Sequence, residues 1–380
     1  MDSMIYFDHN ATTPLLPEVR DVLCEATQKY WGNPSSVHGI GRSAFAELER
    51  ARERLASLIN AAHDEIYFTS GGTESDNLAI FGIMEHNPSM GFLYSAIEHP
   101  AVSGTAAALS AKGRDCRAVP VDQSGAVRLD DLSESLHQNV CLVSVMAASN
   151  EIGTVQPFER VGQLVSQSQA VYHCDAVQAF GKVPIDVKKA SVDLMSFSAH
   201  KINGPKGIGA LYVKRGVKIH PRFFGGYQER SIRPGTQNVP SILAFVKAAE
   251  IACDNMLQNA EILFDLTEYM NFRIASEIQN VLRNGDTQNR LPGTLNLCFP
   301  GVETQVLLAS LDQEGICASG GSACHSGSID PSAVLLAIGR RPQEAACAIR
   351  FSLGVSNTRE EVDFTVEALK RIVERVRAIG

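Results

Sequence analysis

The sequence has no apolar run approaching ~18 residues, so a membrane-spanning helix is not expected. Nor does it have a clustered basic tract. Its 34 lysines and arginines are interspersed with 42 acidic residues for a net charge of −8, which argues against an extended nucleic-acid partner. The opening residues, Met1-Asp2-Ser3-Met4-Ile5-Tyr6-Phe7, carry neither a basic segment nor a long apolar one, so no secretory signal is expected. None of the nine cysteines forms a C-x-x-C pair, and no metal site is expected. An odd number of thiols without a signal points to a reducing, cytoplasmic setting. Most of these cysteines sit in apolar runs, as Cys141 and Cys298 do, and read as small buried hydrophobes.

What is present is ordinary globular composition: 380 residues, 44% hydrophobic and 20% charged, enough for about two domains. Residues Phe45 to Ile59 place apolar side chains at helical spacing. Beyond them, short apolar strands alternate with helical stretches. Strands are expected at Ile66–Ser70, Phe92–Ala96, Cys116–Val121, Val140–Ala147, Ala170–Asp175, Val192–Phe197 and Ile208–Val213. Repeated strand–helix units imply an α/β fold with a mostly parallel central sheet and helices on both faces. From Val239 to about Val281 a long helical stretch is expected, bent near Leu257-Gln258-Asn259, and a smaller α+β domain follows from about residue 256.

Parallel sheets bind ligands at the carboxyl ends of their strands. Gly72-Thr73, His99, Asn150, Asp175 and Lys201 all fall at or just past such ends. Gly71-Gly72-Thr73 lies between a strand and a helix, where backbone N–H groups and a helix dipole face an anion, although such turns are also common for steric reasons. Lys201 follows a buried strand in the turn Ser198-Ala199-His200-Lys201-Ile202-Asn203-Gly204-Pro205. It reads either as a partly desolvated Schiff-base lysine or as a solvated loop lysine. A carbonyl cofactor on that lysine needs a carboxylate facing its ring nitrogen, phosphate donors, a stacking group and an arginine for the substrate carboxylate. Asp175, with Gln178 one turn on, His99 and Arg350 are candidates. Each has a structural alternative: a helix cap for Asp175, a structural histidine, an arginine paired to an internal carboxylate. Cys324, in the small-residue tract Ser319 to Ser328, is the thiol no apolar periodicity buries.

Taken in order, Thr69-Ser70-Gly71-Gly72-Thr73-Glu74-Ser75, Asn150-Glu151-Ile152-Gly153, His173-Cys174-Asp175-Ala176-Val177-Gln178, Ser198-Ala199-His200-Lys201 and Ser322-Ala323-Cys324 resemble the cysteine desulfurases of the NifS/IscS type. The likeness runs from Tyr6 to Gly354. It implies a class V aminotransferase-like, fold type I transferase dependent on pyridoxal 5'-phosphate. An N-terminal arm (1–15) would pack with the small domain, residues 16–255 would form the large cofactor-binding domain, and 256–380 the small domain carrying the Cys324 loop.

The resemblance also implies roles. Lys201 binds the cofactor and moves the substrate Cα proton. Asp175 pairs with the ring nitrogen, Gln178 with the ring hydroxyl, and His99 stacks on the ring. Gly72, Thr73, Ser198 and His200 hold the phosphate, and Thr236 reaches the phosphate of the other subunit of a homodimer. Asn150 and Arg350 bind the substrate carboxylate. Cys324 takes the sulfur of L-cysteine as a persulfide, releasing alanine, for iron–sulfur cluster or other sulfur-compound biosynthesis through an acceptor protein. Ser149, His325 and Tyr227 depart from the commoner pattern without removing a catalytic group. The tetrad Ala323-Cys324-His325-Ser326 is also similar to that of selenocysteine lyases, so L-selenocysteine is an alternative substrate. A non-catalytic relay scaffold would not need the lysine, aspartate and cysteine together, and an aminotransferase has no use for the loop thiol.

Overall fold

The computed structural model describes residues 4–136, 139–320 and 331–379. Twelve strands follow one another along the chain. They are β1 (Ile5–Tyr6), β2 (Ile66–Thr69), β3 (Gly91–Ser95), β4 (Cys116–Val119), β5 (Val140–Ser144), β6 (Val171–Asp175), β7 (Leu194–Ser198), β8 (Gly209–Val213), β9 (Leu282–Asn284), β10 (Thr294–Cys298), β11 (Ile316–Cys317) and β12 (Ala348–Ser352). Seven of them form one sheet in the order β2-β8-β7-β6-β5-β3-β4. Its pairings are parallel except those β8 makes with β2 and β7, so the sheet is mostly parallel, as expected.

The strand period of two sorts this sheet's side chains onto two buried faces. Tyr172 and Cys174 of β6 and Met195 and Phe197 of β7 join the core under the helices Gly39–Leu58 and Val239–Asp254, with Leu48, Leu55 and Phe245. Leu194 of β7 and Leu142 of β5 point the other way, against Leu78 and Ile83 of the helix Gly72–His86 and Val102 of Pro100–Ser110. His173 and Asp175 alternate with Tyr172 and Cys174, so they face the Gly72–His86 side. A polar pair is thereby built into an otherwise apolar layer.

A second, antiparallel sheet, β12-β10-β9, packs Leu295, Leu297 and Phe351 with Phe7, Met270 and Leu369. The arm from Ile5 to Thr13 ties this core to the large sheet. It pairs β1 with β11, donates from Asn10 N to Ser352 Oγ at 2.9 Å, and then donates from Thr13 N to the His200 carbonyl at 3.0 Å.

Two helix boundaries differ from the sequence expectation, each for a local reason. The helix expected from Phe45 starts at Gly39, because His38 Nδ1 accepts from Gly41 N at 3.2 Å and caps it. The long helical stretch breaks at Asn255 rather than at 257–259. There Asn255 Nδ2 donates to the Ile251 carbonyl at 2.8 Å and competes with the backbone for it. Among the described residues no helix is long and apolar enough to cross a membrane.

Candidate active site

A cavity of about 230 Å³ opens at the carboxyl ends of β5, β6 and β7. Ten residues singled out in the sequence line it: Gly72, Thr73, His99, Asn150, Asp175, Gln178, Ser198, His200, Lys201 and Arg350. Thr236 is exposed and is not among the lining residues. Cys324 lies outside the described residues.

Each lining residue is delivered by its element. Gly71 adopts φ +151°, and a Cβ on Gly72 would come within 2.7 Å of Val177 Cγ2. The two glycines therefore let the start of the Gly72–His86 helix close onto the turn after β6. Asp175 ends β6, and its Oδ1 accepts from Val177 N at 2.9 Å, which pins the carboxylate into the turn. His99 precedes the Pro100–Ser110 helix, and its Nδ1 accepts from Ala101 N at 3.1 Å. The histidine is thus a helix cap and a cavity wall at once.

Two buried carboxylates, Asp76 and Asp175, line the cavity, with Glu98 and His173 packed behind them. Burial, then the neighbouring Asp76 carboxylate, pushes Asp175 up to about 6. Burial likewise lifts Asp76 to about 6 and holds Glu98 well above the usual carboxylate range. Asp76 Oδ1 and Glu98 Oε2 have no hydrogen-bond partner among the described residues. His173, pulled down to about 4 by burial, is neutral. It is fixed between the Ser144 and Ser196 hydroxyls at 2.8 and 3.0 Å, with Asp76 Oδ1 3.5 Å away.

Lys201 and Arg350 bring cations to the same cavity. Lys201 Nζ donates to the carbonyls of Asn10 and Ala11, both at 2.7 Å. Burial and then the charge of Lys201 drop His200 to about 4, and its Nδ1 sits 3.1 Å from Thr12 Oγ1. Arg350 Nη2 donates to Asp8 Oδ1 at 2.7 Å and its Nη1 to the Asn150 carbonyl at 3.0 Å. The arginine has both the internal carboxylate partner and a face on the cavity.

Sequence reasoning overlooked several of these groups. Asp76 could have been found, since it lies one helical turn past Gly72 and so shares its face. Glu98 stands next to His99. Asp8 and Asn10 sit in an arm with no periodicity, and their partners in the site lie 140 to 342 positions away.

Buried carboxylates, an amine and an arginine lining one cavity, with a glycine turn between strand and helix, suit a flat cofactor with a cationic ring nitrogen and an anionic tail. The class V aminotransferase family model matches residues 5–364. The chain belongs to that family, whose members in general depend on pyridoxal 5'-phosphate. Within it, the chain belongs with the cysteine desulfurases of the NifS/IscS type. It is 42% identical over 382 residues to the cysteine desulfurase IscS of Dictyoglomus turgidum, covering 100% of this chain and 97% of the relative. Two solved structures have the same fold. A NifS-like protein is 37% identical with a TM-score of 0.92, covering 98% of this chain and 100% of its own. A NifS-like protein from Rickettsia africae is 32% identical with a TM-score of 0.89 at the same coverage.

Proposed function

We propose that this protein is a pyridoxal 5'-phosphate-dependent L-cysteine desulfurase that converts cysteine to alanine and receives the sulfur on Cys324. The observation that supports this most is that Asp175, Lys201 and Arg350 line one cavity. The buried, unpartnered Asp76 and Glu98 oxygens fit a ring cation that would hold Asp175 ionised.

When bound, the cofactor supplies an electrophilic carbonyl and a ring that accepts electrons. Asp175, with its carboxylate pinned by Val177 N, would hold the ring nitrogen. His99 would stack on the ring and Gln178 would donate to its hydroxyl. Gly72, Thr73, Ser198 and His200 would hold the phosphate; all four also line a shallow opening beside the glycine turn. Arg350 and Asn150 would grip the substrate carboxylate, which then competes with Asp8 for the guanidinium. Lys201, freed from the two arm carbonyls, carries the Cα proton. The Cys324 thiolate attacks the substrate sulfur: an S–S bond forms, the Cβ–S bond breaks, and its electron pair stays with the carbon, which takes up a proton to become alanine.

Exposed aromatics flank the segment that carries Thr236. Phe224 and Tyr227 are 85% and 91% exposed, which favours a homodimer in which Thr236 reaches the partner's phosphate. Unpaired cysteines fit a cytoplasmic enzyme serving a sulfur-acceptor protein such as an iron–sulfur scaffold.

Incubation with cysteine is expected to yield alanine and persulfide in equal amounts. Cys324→Ala should abolish persulfide; persulfide formation at the parent rate in that variant would refute the assignment. The Ala323-Cys324-His325-Ser326 tetrad makes L-selenocysteine the second substrate to compare, by kcat/KM in direct competition.

A further inference from the structure

Lys182 lies one turn beyond Gln178, and its Nζ donates to Gln178 Oε1 at 3.0 Å. Gln178 Nε2 donates to the Asn10 carbonyl at 2.8 Å, and Lys201 Nζ donates to that same carbonyl at 2.7 Å. An ammonium only donates and a carbonyl only accepts. Between them the Gln178 amide therefore has one orientation, oxygen to Lys182 and nitrogen to Asn10. The second N–H on Nε2 makes no bond among the described residues, and Gln178 lines the active-site cavity.

Lys182 also opens onto a second cavity of about 220 Å³, which Lys201 lines as well. Its walls are largely apolar, with Ile202, Ile251, Leu263, Leu291 and Leu353, and among the described lining residues there is no aspartate or glutamate. The charged and titratable groups that face Lys182 are Lys201, Arg350 (already paired with Asp8) and His9. Burial, then the charges of Lys201 and Arg350, lowers the pKa of Lys182, and an anion beyond Gln178 would favour its charged form. A lysine without a carboxylate, placed beside two other cations, works against folding. Its position makes sense through Gln178.

We infer that Lys182 is a positioning residue for the proposed reaction: it locks the Gln178 amide with a free N–H towards the cofactor's place and sets a positive charge behind it. This rests on the reading of the cavity as the cofactor site. A charge behind the amide strengthens its N–H as a donor to a ring oxyanion and lowers the pH at which that oxygen ionises.

The test uses the full chain with Lys182→Met and Lys182→Arg. Apo-protein is titrated with pyridoxal 5'-phosphate, and the visible absorbance of the bound cofactor is followed against pH. For Lys182→Met the midpoint is expected to rise by about one unit and kcat to fall ~10-fold, with KM for cysteine within ~2-fold. Its Tm should equal or exceed the parent's, the opposite of what loss of a packing residue would give. Lys182→Arg should restore the midpoint and bring kcat to within ~3-fold. Lys182→Gln gives the same reading should the methionine variant not fold. A parent-like midpoint and kcat in Lys182→Met, or no restoration by arginine, overturns the inference. If the parent takes up the cofactor but releases no alanine, the desulfurase reading fails, while the absorbance midpoint still decides the role of Lys182.

Discussion

The two walls of the active-site cavity are built in different ways. The acidic wall is built on the sheet and its helix: His173 and Asp175 share one face of a strand, Asp76 lies on the adjoining helix, and Glu98 packs behind them. The cationic wall is assembled at long range. Lys201 is held by Asn10 and Ala11, Arg350 by Asp8, and Gln178 by Asn10. The acidic wall stores electrostatic cost in desolvated carboxylates, and the cationic wall spends hydrogen bonds to a single arm to keep its donors aimed. A cofactor with a cationic ring nitrogen and an anionic phosphate would relieve both.

The largest effect that would break this picture is at Lys201. Lys201→Ala is expected to lower turnover by more than ~10³-fold and to remove the visible absorbance of the lysine-bound cofactor, as read by spectrophotometry. Retention of both would leave the cationic wall without its centre. On the acidic side, Asp175→Asn keeps the shape and removes the charge, and kcat should drop by ~10²-fold while the Val177 N contact persists. Arg350→Lys tests the carboxylate grip. KM for cysteine should rise by ~10-fold, because an ammonium cannot reproduce the fork that reaches Asp8 and the Asn150 carbonyl together.

The smallest effect concerns stability. The folded-state Asp76 carboxyl titrates at about 6, above its ordinary 3.8, so the native protein holds a proton the unfolded chain has already lost. The penalty for ionising it is therefore complete above pH ~6 and absent below pH ~4. Asp76→Asn should stabilise the apo-protein at pH 7, by on the order of 3 kcal/mol, and the gain should vanish as pH falls towards 4. A gain that persists at pH 4 would show that packing, not charge, is responsible. His173 runs the other way. Its pKa is lowered, so the native state gains stability as pH rises through 4 to 6.5.

The sequence disclosed these regions unequally, and the same difference explains why. Short apolar runs alternating with helical stretches, and the glycine turn, marked the sheet, Asp175 and Gly72, because a buried strand and a strand–glycine–helix join are local signals. The lysine and the arginine were visible as charges in apolar surroundings, yet their anchors were not. Asp8 and Asn10 lie in a segment whose only regularity is its turns, and nothing local to Lys182 signals the Asn10 carbonyl that meets Gln178 beside it. The helix start at Gly39 escaped notice because a histidine supplies the cap. Cys324 was marked by its small-residue surroundings, and Thr236 by the family pattern alone.

The arm has a consequence for biosynthesis. Asp8 is made about half a minute before Arg350, which lies 342 positions later, at about 10 residues per second. Until then Ser352 cannot receive Asn10, and the arm has no small sheet to anchor it. The nascent large sheet can fold around its acidic floor, but the amine is not yet aimed. Full aiming of Lys201 by an arm anchored at Ser352 therefore waits until the small sheet has been made.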